Sequence, residues 1–258
     1  MISFDKIVKK LLKKRGNILL LEDIFDILDP DKMEKNKKAL YKILYRLKSE
    51  KVIMTLRNSI YLIPDDEDLK LNEIDLVEKY YFKLVKKYIT SEVGSEYFIS
   101  GKKALEINLK DFSVPNNLVV ITRNTEKKVK IQDKIITFKK VGNKNANLYS
   151  KFSKYINRVS IFQTEFKISN IELSLVETAL VSDNIEGVEI SLLSKAIKKY
   201  SRVFKSEIFY EIAKVKYIMS FNRLKEISKN IDPKTSELFL DIIKQNGGLF
   251  IGEGLRKI

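Results

Sequence analysis

The sequence predicts an α+β protein of two domains, in which segments of strand and of helix are segregated along the chain. Three observations lead to this class. The chain has 258 residues, which is enough for two domains of ordinary size. Its 44% hydrophobic and 10% aromatic residues can build cores despite 32% charged residues. Pro64 is followed by an acidic run that ends at Asp68, which indicates a boundary between the domains.

The first part of the N-terminal domain is predicted to contain a helix, a short strand and a second helix. Apolar residues from Phe4 to Leu12 recur at helical spacing, and basic residues before Gly16 are typical of a helix end. The run Ile18–Leu21 is too short for a helix and fits a small strand. Glu22–Leu28 is a short amphipathic segment.

A basic helix and a β-hairpin complete this domain. The third helix is predicted at Lys35–Ser49, where one apolar stripe is formed by Leu40, Ile43, Leu44 and Leu47. Val52–Leu56 and Ile60–Ile63 are typical of two strands, and the polar residues between them predict a tight turn. Helix, helix, basic helix and hairpin is the order of a winged helix-turn-helix domain.

The third helix carries cations and tyrosines opposite its apolar stripe. On a wheel of about 100 degrees per residue, six residues share this side, namely Lys35, Lys38, Tyr41, Lys42, Tyr45 and Arg46. Cations can neutralise phosphates and tyrosines can bond phosphates, so we expect the helix to lie in a major groove. The turn adds Arg57 and Asn58 to these predicted DNA-binding residues. The alternative is a solvated lysine face on a protein-interaction module.

The charge of the chain favours polyanionic partners. The net charge is +15 and the isoelectric point is near 9.6, which is typical of proteins that bind nucleic acid. Residues 1–64 contain 15 Lys/Arg against 8 Asp/Glu, a net +7, so a quarter of the chain carries nearly half of the charge. A lysine-rich composition also arises in AT-rich genomes, so charge alone leaves an incidental basic surface open.

Several kinds of enzyme site are excluded by composition. The chain contains no cysteine and no histidine. Disulfides, thiolate metal sites and nucleophiles paired with histidine are therefore absent. No signal peptide or long apolar run is recognisable, so we expect a cytoplasmic protein without a membrane partner. The sequence predicts a non-enzyme that needs no cofactor or metal, and the enzymatic alternative is a nuclease built on Glu165 and Lys167.

The rest of the chain divides into a connector and a larger domain. The sequence predicts a DNA-binding domain at residues 1–64. It is followed at residues 65–94 by an acidic, solvated linker and a connecting helix at Ile74–Ile89. Residues 95–258 predict an α+β domain with a small, mainly antiparallel sheet and a helical C-terminal half beginning at Ile171.

Five segments together resemble the AbiEi-like antitoxins and regulators of type IV toxin–antitoxin systems. They read, in order, SIYLIP, YFISGKKAL, VPNNLVVITRN, ITFKKV and ELSLVETALVSD. Two motifs of that family are matched here, one by Ser100, Gly101, Ala104 and Leu105, the other by Glu177, Thr178, Ala179, Leu180 and Asp183. Many members have His-Gly-Leu where this chain has Ile107, Asn108 and Leu109. This difference bears on which subfamily the chain resembles more than on its expected fold.

This resemblance implies a function that cannot be inferred from composition and spacing. The N-terminal domain is expected to bind double-stranded operator DNA and repress its own operon. The second domain is expected to counteract a nucleotidyltransferase-like toxin. A solitary regulator without a toxin is the alternative within the same fold.

Overall fold

The protein is α+β, as the sequence predicts. The computed structural model describes residues 3–28, 37–143, 146–147, 149–180, 189–215 and 217–247. These residues form eleven α-helices, a three-stranded sheet, a six-stranded sheet and a two-stranded ribbon. Residues 1–94 with 130–134 make up one compact unit, the N-terminal unit, and residues 95–129 with 135–258 make up the C-terminal unit. In the described ranges no helix is both long and apolar enough to cross a membrane.

The N-terminal unit combines four helices with a small sheet. The helices are α1 Phe4–Leu12, α2 Leu21–Leu28, α3 Lys37–Ser49 and α4 Glu73–Val93. The strands are β1 Ile18–Leu20, β2 Met54–Arg57 and β3 Ile60–Leu62. They pair antiparallel in the order β1-β3-β2, so that Tyr61 lies between Leu19 and Thr55.

The first three helices pack around one apolar cluster. Helix α3 contributes Leu40, Leu44 and Leu47, which are buried as the apolar stripe predicts. Ile43, at the side of the stripe, is only partly buried. The other helices contribute side chains at helical spacing, namely Ile7 and Leu11 from α1 and Ile24, Phe25 and Leu28 from α2. This packing fixes the rotation of α3 about its own axis.

The β-hairpin begins two residues later than the sequence predicts. Val52 and Ile53 are apolar and buried, but their N–H groups both bond the Leu47 carbonyl, at 2.9 and 3.3 Å. Lys51 has a φ of 54°, the left-handed conformation that commonly ends a helix. Val52 and Ile53 therefore lie in the turn that ends α3, and they are hydrophobic because they are buried in the core and not because they form a strand.

The acidic run after Pro64 departs from the predicted solvated linker at Asp68, whereas Asp66 and Glu67 are exposed as expected. Asp68 is fully buried, and its Oδ1 accepts a hydrogen bond from Lys79 Nζ at 2.7 Å. Its Oδ2 accepts from the Tyr80 hydroxyl at 2.7 Å and from the Asp65 N–H at 2.8 Å. Burial by itself would raise the pKa of Asp68, but these hydrogen bonds and the Lys79 charge outweigh it, so the pKa is lowered. Asp68 thus ties this segment to α4.

The C-terminal unit contains the remaining elements, apart from residues 130–134 at the end of one hairpin, which are part of the N-terminal unit. Its helices are α5 Gly101–Asn108, α6 Tyr149–Phe152, α7 Ile171–Thr178, α8 Ile190–Tyr200, α9 Ser206–Val215, α10 Ile218–Ser228 and α11 Pro233–Gln245. Its strands are β4 Tyr97–Ile99, β5 Asn117–Thr122, β6 Lys127–Ile131, β7 Lys134–Lys140, β8 Gly142–Asn143, β9 Ala146–Asn147, β10 Ile156–Ile161 and β11 Thr164–Ser169. Helices α7 to α11 form the helical C-terminal half that the sequence predicts.

The main sheet of this unit is mixed, which corrects the prediction of a small, mainly antiparallel sheet. Its six strands have the order β10-β11-β4-β5-β7-β6. Pairs β10–β11 and β4–β5 are antiparallel, whereas β11–β4 and β5–β7 are parallel. The β6–β7 hairpin places its second strand beside β5, so β7 and β5 run in the same direction. Local sequence predicts the hairpin but not which of its strands meets β5.

Replacement of Asp68 by asparagine should destabilise the protein by about 2 kcal/mol at neutral pH, because the amide cannot satisfy Lys79 and Tyr80 as a carboxylate does. The pKa of Asp68 is lowered from 3.8 on folding. Its contribution is therefore complete above that value and is lost as the pH falls through the lowered pKa. Urea unfolding at pH 7 and pH 3 should show the difference shrinking at acid pH.

Asp66→Asn is the matched control for this measurement. Asp66 pairs with Arg15 at 2.9 Å, and the Asp66 side chain is 80% exposed. Such a surface pair contributes little, so the free energy of unfolding should change by less than about 1 kcal/mol. Equal effects of the two substitutions would contradict a special role for Asp68.

Candidate nucleic-acid interface

The outward side of α3 is accessible over most of its length. Lys38, Tyr41, Lys42, Tyr45 and Arg46 are all exposed, with Tyr41 51% and Tyr45 76% exposed. The sixth predicted residue, Lys35, lies outside the described residues. Three leucines on the opposite side anchor the helix in the core, so these five side chains project from one rigid element.

Lys38, Lys42 and Tyr45 have no ion pair or hydrogen bond through their side chains among the residues that the structure describes. An ammonium group without an internal partner is available to an anion from outside. Two ammoniums one helical turn apart are separated by a rise of about 6 Å along the axis. The arrangement suits the successive phosphates of a nucleic-acid strand.

Arg46 is less available than the sequence suggests. Its guanidinium carbon lies 3.7 Å from the centre of the Phe4 ring of α1. Its Nε also donates to Glu50 Oε1 at 2.8 Å. The side chain therefore lies along the junction of α1 and α3. Arg46 helps to hold the two helices together, and the main predicted cations of α3 are Lys38 and Lys42.

Tyr41 has a similar dual position. Its ring meets Phe25 of α2 edge to face, with ring centres 5.7 Å apart. Half of the side chain remains exposed. An aromatic pair of this kind fixes ring orientation. Tyr41 thus braces α3 against α2, whereas Tyr45 has no aromatic neighbour of this kind among the described residues and is the more accessible of the two.

The hairpin turn differs in detail from the prediction. Arg57 is the last residue of β2, and the turn itself is made by Asn58 and Ser59, which are exposed. Ser59 has a φ of 64°, and its carbonyl accepts from the Leu21 N–H at 2.9 Å. The Arg57 guanidinium lies 4.7 Å from the Tyr88 ring of α4. Arg57 is therefore held against α4, and the tip presents Asn58 and Ser59.

A cavity of about 420 Å³ lies where the hairpin, α2 and α4 meet in the N-terminal unit. Its lining includes Arg57, Asn58, Tyr88, Glu22 and Glu92. The mixture of one guanidinium with two carboxylates gives this cavity no net preference for an anion.

A second polar cluster, which sequence reasoning did not identify as a unit, is buried in the C-terminal unit. Glu177 of α7 is fully buried, and its Oε2 accepts from the Gly101 N–H at 3.1 Å and from the Ser169 hydroxyl at 2.7 Å. Its Oε1 has no hydrogen-bond partner within the described chain. Two motifs 76 residues apart thereby meet at the start of α5. Asp183, from the second motif, lies outside the described residues.

Burial shifts the Glu177 carboxyl group towards its neutral form. Burial raises its pKa from 4.5 to about 7, against the opposing effect of the bonds from Ser169 and Gly101. Ser169 has one hydroxyl hydrogen but two oxygen neighbours, Glu177 Oε2 and the Ile99 carbonyl at 3.2 Å. When Glu177 is ionised, Ser169 donates to its Oε2. When Glu177 is protonated, the direction of this bond reverses, and the Ser169 hydrogen goes to the Ile99 carbonyl. The chain of bonds joins α7, β11 and β4.

Glu165 and Lys167, the residues of the nuclease alternative, each have another partner. Lys167 Nζ donates to the Ser95 carbonyl at 2.6 Å. Glu165 accepts from Arg158 across the β10–β11 pair at 3.4 Å. Among the described residues no group of three acidic side chains is placed to hold a metal ion. These contacts favour a structural role for both side chains.

Comparison with known proteins gives the family of the chain. A sequence model described as a family of unknown function, DUF6088, matches residues 5–188, which is more than half of the chain. The chain belongs to the DUF6088 family. This match includes α3, the hairpin and the Glu177 cluster. No curated protein matches the sequence.

The fold of this DUF6088 protein is similar to that of a solved structure. The crystal structure of the RV2827C protein from Mycobacterium tuberculosis superposes with a TM-score of 0.60 at 9% identity, covering 92% of this chain and 80% of that one. At this identity the similarity concerns the fold alone. The DUF6088 chain and that protein therefore share an architecture over most of their lengths.

Glu177→Gln should make the stability of the DUF6088 protein less dependent on pH. The raised pKa of Glu177 means that its protonation stabilises the fold at acid pH and that this contribution is lost as the pH rises from 4.5 through about 7. The loss is on the order of 3 kcal/mol. Glutamine mimics the neutral acid, so the variant should be more stable than wild type in urea unfolding at pH 8 and similar to it at pH 4.

Glu165→Gln, on the exposed side of β11, provides the control. Its unfolding curve should follow wild type at both pH values, because the exposed carboxylate loses little on folding. A Glu177→Gln variant that is less stable than wild type at pH 8 would show that the folded protein prefers the ionised carboxylate.

Proposed function

We propose that the N-terminal unit is a winged helix-turn-helix module that binds double-stranded DNA through α3. The observation that carries the proposal is the exposed side of α3, where Lys38, Lys42 and Tyr45 have no internal partner within the described residues. The order of elements and the β1-β3-β2 sheet support the module, because a recognition helix followed by a hairpin is the arrangement that such modules use.

In this proposal α3 enters the major groove. Lys38 and Lys42 neutralise phosphates, and Tyr45 reaches a phosphate or a base edge. The exposed turn of Asn58 and Ser59 approaches the neighbouring backbone. Arg57 adds its charge by exchanging its contact with the Tyr88 ring for a phosphate contact.

We further propose that the protein is a transcriptional repressor of its own operon and the antitoxin of a type IV, AbiE-like system of phage defence. The basis is the resemblance of the matched motifs to the AbiEi-like family. The C-terminal unit would counteract a nucleotidyltransferase-like toxin without a reaction of its own and without a cofactor. Gly101 and Glu177, one from each matched motif, are joined by a hydrogen bond, which supports the idea that both motifs serve to hold the fold together.

Lys38→Ala/Lys42→Ala should weaken binding to the DNA upstream of the gene and flatten its salt dependence. Each phosphate contact contributes about 0.9 to the slope of log affinity against log salt. The double variant should therefore lose nearly two units of slope in a fluorescence-anisotropy titration. Lys70→Ala/Lys244→Ala removes the same charge from exposed lysines elsewhere, and this control should leave the slope unchanged.

The outcomes separate the candidate functions. An unchanged slope in the α3 variant would reject the groove assignment. Wild-type protein without preference for the upstream DNA would favour a protein-interaction module with an incidental basic surface.

The antitoxin role has its own test. Expression of the neighbouring reading frame alone should arrest growth, and coexpression of this protein should restore it. Restoration should persist with Lys38→Ala/Lys42→Ala under a foreign promoter, since the C-terminal unit carries that role. A harmless neighbouring gene would leave a solitary regulator.

A further inference from the structure

A row of cations runs along the outer side of α8 in the C-terminal unit. Its members recur at helical spacing and are all exposed, and we name them the α8 stripe: Lys195, Lys198, Lys199 and Arg202. The opposite side of α8 is buried through Leu193, Ala196 and Ile197. Positions three, four and seven residues apart face the same way on a helix, and the short helical turn after α8 carries this pattern on to Arg202.

The stripe forms no ion pair with an acidic side chain among the described residues, although the Lys195 charge is one of the smaller causes of the lowered pKa of Asp111. Residues 190–206 contain five Lys/Arg and no Asp/Glu. Within the described residues none of the four stripe side chains forms an ion pair, and the Lys199 ammonium lies 5.1 Å from the centre of the neighbouring Tyr200 ring. Four like charges on one side of a helix repel one another, so an external anion stabilises them.

The acidic groups around α8 are bonded elsewhere. Asp111 accepts from the Ser113 N–H at 2.9 Å, and that bond is the largest cause of its lowered pKa. Glu172 of α7 accepts from the backbone N–H of Lys205 at 3.0 Å. Glu189 pairs with Lys102 at 3.0 Å. Asp232 accepts from the Thr235 hydroxyl at 2.6 Å. Each carboxylate thus has a donor that is not a stripe side chain.

The helix dipole accounts for part of the stripe only. Cations in the last turn of a helix are stabilised by the carbonyl end, which explains Lys198 and Lys199. Lys195 lies before that turn and Arg202 beyond it. The dipole effect falls off within one turn, so it does not explain a row that continues on both sides.

We propose that the α8 stripe binds the phosphate backbone of duplex DNA without regard to base sequence. The stripe spans a rise of about 10 Å, over which cations on flexible stems can meet successive phosphates. Contacts of lysine and arginine with phosphate position a protein on DNA and carry no sequence information. The choice of DNA among polyanions rests on the proposed function. The stripe would add a DNA-contacting surface on the C-terminal unit to the one proposed on α3.

The test replaces the stripe by glutamine in the full chain, as K195Q/K198Q/K199Q/R202Q. Glutamine keeps helix propensity and removes charge. The probe is a short DNA duplex of unrelated sequence, titrated by anisotropy at several salt concentrations. The variant should bind at least tenfold more weakly near 0.1 M salt, and its salt slope should fall by up to about 3.6 units, about 0.9 for each cation that contacts a phosphate.

A matched control removes four charges from exposed lysines outside the stripe, as K151Q/K229Q/K234Q/K244Q. It should retain most of the affinity, which separates a local surface from a general effect of net charge. K195R/K198R/K199R keeps the charges and should bind as wild type does. Circular dichroism should show that all variants fold.

Three results would overturn the inference. The first is unchanged DNA binding by the stripe variant. The second is an equal loss of DNA affinity in the stripe variant and in the control. The third is a stripe variant that keeps its DNA binding but loses binding to a polyglutamate peptide, which would indicate an acidic protein partner. Failure of the proposed function is seen separately, in the K38A/K42A variant. If that variant keeps its preference for upstream DNA while the stripe variant loses affinity for unrelated DNA, the inference stands and the groove assignment falls.

Discussion

The burial of Leu40, Leu44 and Leu47 is the constraint on which the account of the N-terminal unit depends. These side chains lock α3 against α1 and α2, so the helix has only one side on which a ligand can meet it. The contacts of Arg46 with the Phe4 ring and of Tyr41 with the Phe25 ring add to the same packing at the edge of the core. A cationic surface on a helix that cannot rotate is preorganised, and binding then costs less conformational entropy.

A different kind of constraint organises the C-terminal unit. Glu177 joins the start of α5 to α7 and, through Ser169, to the sheet. A buried carboxyl group is costly unless it is neutral or well bonded. The environment of Glu177 uses both solutions, since burial favours the neutral form and the Gly101 N–H and the Ser169 hydroxyl satisfy one oxygen. Glycine suits position 101, because its φ of 62° lies in the left-handed region while its N–H points at this carboxyl group.

Local patterns carried most of the prediction, and long-range contacts account for the differences. The apolar stripe of α3 and the hairpin follow from periodicity over a few residues, and the structure has both. The partners of Arg46, Arg57 and Asp68 lie 42, 31 and 11 residues away, and no spacing rule brings them together. The same holds for the parallel pairing of β5 with β7 and for the meeting of Gly101 with Glu177.

Photo-crosslinking from position 45 tests the central claim most directly. Tyr45 is the most exposed aromatic residue of α3, so a benzophenone derivative of phenylalanine there should not disturb the core. The account predicts a covalent adduct with upstream duplex DNA, and a much weaker one from Phe162, which is 69% exposed on the β10–β11 turn. Equal adducts from the two positions, or none from position 45, would contradict the proposal that α3 lies in the groove.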